Sequence, residues 1–118
     1  MKDYVSVQKF DDHASIAFYI ENDDIMSLGE ELEEINENAY MNGENWAAVL
    51  ECWLENNSPE LLEGHDSDPE AGMYAAYYEG EDGEEKAKKL AETIEHLVEN
   101  KEELFAFVRE YGDDIEWD

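Results

Sequence analysis

The sequence predicts an α+β fold: a small antiparallel sheet packed against three to five helices, within one domain spanning residues 1–118. Three observations predict it. Two period-2 runs near the N-terminus, Tyr4–Phe10 and Ser15–Ile20, are joined by the polar Asp11-Asp12-His13 and read as a β-hairpin. Apolar residues recur at helical spacing from Trp46 to Leu54 and again from Ala87 to Val98. A third alternating run, Met73–Tyr78, supplies a central strand. With 42% hydrophobic and 12% aromatic residues in 118, the chain has the apolar material for one modest core.

In the hairpin, Val5 and Val7 share one face, as do Ile16, Phe18 and Ile20, while Ala17 and Tyr19 take the other. Glu21–Asp24 breaks the strand. Ser27 with Glu30 has the spacing of a capping box, and Leu28, Leu32, Ile35 and Ala39 then form a helical stripe surrounded by glutamates. Asn42-Gly43 is a turn dipeptide suited to positive φ. Trp46, Val49, Leu50, Trp53 and Leu54 follow i, i+3, i+4, i+7, i+8, an amphipathic helix with Cys52 beside its stripe. Ser58-Pro59-Glu60 opens a short helix that Gly64 ends.

Asp66-Ser67-Asp68-Pro69-Glu70-Ala71-Gly72 reads as an acidic turn, with Gly72 relaxing φ before the strand. In Met73–Tyr78, Met73, Ala75 and Tyr77 share one face, and Tyr74, Ala76 and Tyr78 the other. Asp82 with Glu85 caps the strongest helix, whose stripe is Ala87, Leu90, Ala91, Ile94, Leu97 and Val98. A last helix buries Leu104, Phe107, Val108 and Tyr111 and stops at Gly112. The tail Asp113–Asp118 reads as a short C-terminal edge strand or as a presenter of Trp117 to a partner.

The charge is extreme. Thirty-four acidic against 7 basic residues give a formal net of −27. Nucleic acid is excluded as a direct ligand, because phosphate binding needs clustered Lys and Arg, and anionic membranes repel the chain equally. A protein with a basic surface is steered toward it. One cysteine rules out an internal disulfide and suits a reducing cytosol. The start MKDYVSVQKF lacks an apolar h-region, and no run reaches the length of a membrane span. The expectation is a cytoplasmic protein.

The chemistry of catalysis finds little support. Cys52 stands among acids, which oppose thiolate formation. The D-x-D-x-E spacing of Asp66, Asp68 and Glu70 invites a calcium reading, yet Ala71 and Tyr77 stand where an EF-hand needs Gly and Glu. No phosphate loop or nucleophile elbow is present. No catalytic, cofactor-binding or metal-binding residues are therefore assigned. The acids and aromatics that the helix stripes leave unused are the candidate partner-binding set: Asp66, Asp68, Glu70, Tyr74 and Tyr78, with Glu30, Glu31, Glu33 and Glu34 on the first helix.

Asn42-Gly43-x-x-Trp46, Pro59-Glu60-Leu61 and Asp68-Pro69-Glu70-Ala71-Gly72-Met73-Tyr74 together resemble the Immunity protein 51 family, the last run being the most specific. The likeness extends to Lys89–Glu103, while Ser67 replaces the family's usual aromatic. The resemblance implies a bacterial, non-catalytic protein that binds and neutralises a cognate polymorphic toxin, with a basic nuclease as the class favoured by charge. The alternative is an acidic nucleic-acid mimic that occupies DNA- or RNA-binding proteins.

Overall fold

The computed structural model describes residues 3–70, 72–115 and 117. Met1 and Lys2 at the start, Ala71 of the D-P-E-A-G-M-Y run, and Glu116 and Asp118 of the tail lie outside the described residues. The order is β1 (Val5–Lys9), β2 (His13–Tyr19), α1 (Asp23–Ile35), α2 (Gly43–Asn57), a 3-10 turn (Pro59–Leu62), β3 (His65–Ser67), β4 (Met73–Glu79), α3 (Gly83–Glu99) and α4 (Lys101–Tyr111). The four strands form one antiparallel sheet in the order β1-β2-β4-β3. This is the α+β class that the periodicities predict.

Strand pairing decides which side chains meet. Val5 lies opposite Phe18, Phe18 opposite Tyr74, Ile16 opposite Ala76 and Ala14 opposite Tyr78. Val5, Ile16, Phe18, Tyr74, Ala76 and Tyr78 share one face, and none is more than 3% exposed. The helical core packs there. The Phe18 ring meets Trp46 of α2 edge-on, with centroids 5.0 Å apart at 78°, a favourable quadrupolar arrangement. Burying each such ring contributes about 1.5–3 kcal/mol. From α3, Ala87, Leu90, Ala91, Ile94 and Leu97 join this core, as its stripe predicts. Val98 is only half-buried against it.

Several local expectations are corrected. Helix α1 starts at Asp23, capped by Asn22, whose side chain accepts from the Asp24 N–H at 2.9 Å. Ser27 therefore lies inside the helix, because extending it upstream buries Ile25 completely. The helix stops at Ile35, and Ala39 is buried beyond it. Asn42 is the N-cap of α2, accepting from the Asn45 N–H at 2.8 Å, and Gly43 is its first residue. The positive φ falls on Met41, at 53°.

Gly43 is required for a different reason: a Cβ there would collide with the carbonyl oxygens of Glu70 and Met73. The turn before β4 rests directly on the start of α2.

Pro59 opens a 3-10 turn without a side-chain cap from Ser58, and Gly64 follows with φ +72°. Asp82 precedes α3 without a side-chain capping bond. At Gly72 the Glu21 side chain occupies the space where a Cβ would stand. Edge strand β3 forms from His65–Ser67 and takes in Asp66 and Ser67 of the expected turn. Of the tail, Ile115 and Trp117 take no strand; Ile115 is buried, and the Trp117 indole donates to the Gly112 carbonyl at 2.9 Å.

Candidate functional site

Of the candidate contact residues, Tyr74 and Tyr78 are core residues, 1% and 0% exposed. Strand parity put them there: they share the face of Ala76, opposite Phe18 and Ala14. The Tyr78 hydroxyl donates to the Leu61 carbonyl at 2.7 Å, and the Tyr74 hydroxyl lies 2.8 Å from His65 Nε2. Burial pushes both phenols up, so both stay protonated. Their polar ends are satisfied inside the fold, and they are removed from any contact surface.

The opposite parity gives a different face. Its positions are Ser6 and Gln8 on β1, His13, Ser15, Ala17 and Tyr19 on β2, and Met73, Ala75, Tyr77 and Glu79 on β4. Tyr19 is 43% exposed; Met73, Tyr77, Ser15 and Ala17 are partly exposed; Ala75 alone is buried. Tyr19 lies opposite Met73, and Ser15 opposite Tyr77. The Tyr19 hydroxyl is held 3.2 Å from Ser6 Oγ. At one end, exposed Phe10 stacks on His13, with centroids 4.6 Å apart at 13°. In a chain with 34 acidic residues, Glu79 is the one carboxylate at these outward positions.

The expected loop acids line one edge of this face. Asp66 pairs with Tyr77, the Asp68 N–H donates to the Ala75 carbonyl at 2.8 Å, and Glu70 bridges Met73. These contacts continue a single register, so Asp66, Asp68 and Glu70 stand alongside Tyr77, Ala75 and Met73. All three acids are exposed. The D-x-D-x-E spacing is thus the period of an extended edge segment, which places alternate side chains on one side. Among the described residues, no group of His, Cys, Asp or Glu is arranged to hold a metal ion.

The first-helix acids lie elsewhere. Glu30, Glu33 and Glu34 are exposed on α1, and Glu31 is 3.5 Å from Lys101 Nζ of α4. On the far side of β3, Glu44, Glu51, Glu55 and Asp114 wall a cleft of ≈ 420 Å³. Cys52 lines it, and burial, with Glu55 and Asp114, pushes its thiol up, away from a nucleophile's range.

Tyr19, Tyr77 and Met73, which the structure brings together on this face, are not among the residues expected from sequence. The signal that would find them is cross-strand register: on β2 the large apolar side is unambiguous, and pairing transmits that parity to β4.

The model of one protein family, described as Immunity protein 51, matches residues 6–113 of this chain. No curated protein and no solved structure matches it.

Proposed function

The chain belongs to the Immunity protein 51 family, and from that premise we propose that it neutralises a cognate toxin by binding it, without catalysis of its own. The observation that carries the reading is the outward sheet face: poor in charge, with Glu79 its one carboxylate on β1, β2 and β4, bearing Tyr19, Tyr77 and Met73, and edged by Asp66, Asp68 and Glu70. Interface centres are depleted of charge and enriched in aromatics and Met, with polar rims around them. Tyrosines anchor well because few rotors are frozen.

The net charge of −27 adds long-range steering toward a basic partner. A nuclease toxin, whose substrate groove is cationic, is the class that this field favours. Carboxylates at the edge would stand where substrate phosphates bind, while the tyrosines supply dehydrated contact.

Co-expression with the toxin encoded beside it tests the function. Protection of growth by the wild type, lost in the Tyr19→Ala/Tyr77→Ala variant, is the expected result. Continued killing in the presence of the wild type overturns it, as does capture of several unrelated DNA-binding proteins in place of one toxin.

A further inference from the structure

A second surface stands out on α1, beyond the Tyr19 end of β2. Met26, Gly29, Glu30 and Glu33 fall at i, i+3, i+4 and i+7, one helix face. They border a hollow of ≈ 230 Å³ with Glu21 and Tyr40. Tyr40 is 71% and Met26 51% exposed, the most exposed large apolar side chains described. Tyr40 does not dangle. Its N–H donates to the Asn38 carbonyl at 3.1 Å, and the next residue, Met41, is buried with its N–H donated to Asn45 Oδ1 at 3.1 Å. Gly29 allows this, since a Cβ there would stand 3.1 Å from Met41 Cβ. The ring is therefore presented outward by a fixed backbone.

Core demand does not explain these groups. Tyr40 and Met26 gain little from burial in the free protein, and three carboxylates beside them repel one another. Unlike Glu31, which has Lys101, none of Glu21, Glu30 and Glu33 has an ion-pair partner among the described residues. An aromatic face, a thioether and an uncompensated acidic rim complement one kind of group: a flat cation on an apolar stem.

We infer that this hollow takes an arginine side chain of the toxin, with the guanidinium stacked on Tyr40 between Glu30 and Glu33 and the methylenes against Met26. Guanidinium suits it better than ammonium because it is planar, weakly hydrated and stacks on aromatic rings. A second copy of this chain does not fit, since two bodies of net charge −27 repel each other. The inference rests on the toxin-binding reading, but its test does not need the toxin.

The test is an amide NMR titration with N-acetyl-L-arginine methylamide, alongside its neutral citrulline and its lysine counterparts. Saturable shifts centred on Met26–Glu33 and Tyr40 with the arginine probe, absent with citrulline, are expected. Tyr40→Ala and Glu30→Gln/Glu33→Gln should each weaken the arginine probe about tenfold, a loss in the range of one desolvated cation–π or charge contact. Equal shifts along the α2 acids, or unchanged binding in both variants, overturn the site. Lysine binding as tightly as arginine overturns the guanidinium assignment. Saturable arginine binding combined with no protection from the toxin overturns the assignment to a toxin and leaves the hollow's chemistry standing.

Discussion

The two faces of the sheet use the same strands for opposite ends. Inward, Phe18, Tyr74, Tyr78 and Ile16 interlock with Trp46 and α3 and are almost wholly buried. Outward, one residue along, Tyr19, Tyr77, Met73, Ser15 and Ala17 meet solvent. The inward face is explained by the core. The outward face is not: an acid or lysine at Ser15 or Ala17 would cost the fold little. Strand propensity accounts for part of its neutrality, since Asp and Glu are depleted in strands. It does not account for solvent-facing Tyr and Met where Thr or Lys would serve. In a chain of net charge −27, the acids crowd the helices and the β3 edge and leave Glu79 as the one carboxylate at the β1, β2 and β4 positions of this face.

Stability should split along the same line. Phe18→Ala or Trp46→Ala should destabilise by about 3–5 kcal/mol in denaturant unfolding, whereas Tyr19→Ala should stay within about 0.5 kcal/mol, as surface changes do. Comparable losses on both faces would show that the outward residues hold the fold as the inward ones do. Trp53, half-buried against Phe107 with centroids 5.1 Å apart, should fall between them. Next comes the joint that holds the β3–β4 edge: Gly43→Ala should cost about 1–3 kcal/mol, because a methyl group must displace two backbone carbonyls. A melting temperature equal to wild type would show that the turn yields without cost.

The edge acids separate charge from contact. Asp66→Asn/Asp68→Asn/Glu70→Gln should leave the melt intact and slow toxin association several-fold at low salt, with the difference closing by about 0.5 M salt. Reversal of Glu30, Glu31, Glu33 or Glu34 should likewise spare folding. A salt-independent association rate would remove steering from the account.

The smallest effect is expected at His65. Burial lowers its pKa below the ordinary histidine value, against the pull of Asp66. Its contribution to stability is therefore complete above about pH 6.5 and is lost as pH falls through the lower folded value. His65→Gln should flatten the wild type's stability slope over that window, read from melts at matched ionic strength. A steeper slope in the variant would reverse the sign.

The elements that the sequence made legible are those with a strong apolar period. The β1–β2 hairpin, α2, α3 and α4 stand close to where their stripes place them. Boundaries set by competing caps were not legible: Asn22 and Ser27 both satisfy the chemistry, and only the burial of Ile25 selects the first. Edge strand β3 is three residues long, and His65-Asp66-Ser67 carries no apolar alternation.

The candidate surface was half legible. Asp66, Asp68 and Glu70 are legible as exposed acids because acids in a short motif stand out. The parity of the tyrosines is not legible because both faces of β4 read alike, Met-Ala-Tyr against Tyr-Ala-Tyr, and the expected contact residues Tyr74 and Tyr78 face inward. Only pairing with β2, where Ile16 and Phe18 define the inside, resolves them.

The most direct measurement is the affinity of the Tyr19→Ala/Tyr77→Ala variant for the cognate toxin, by calorimetry on samples whose melting temperature is first checked against wild type. If the outward face is the binding face, affinity should fall about 100-fold or more, as for paired aromatic anchors, while the melt shifts by only a few degrees. Wild-type affinity in the doubly substituted, folded protein would contradict the account.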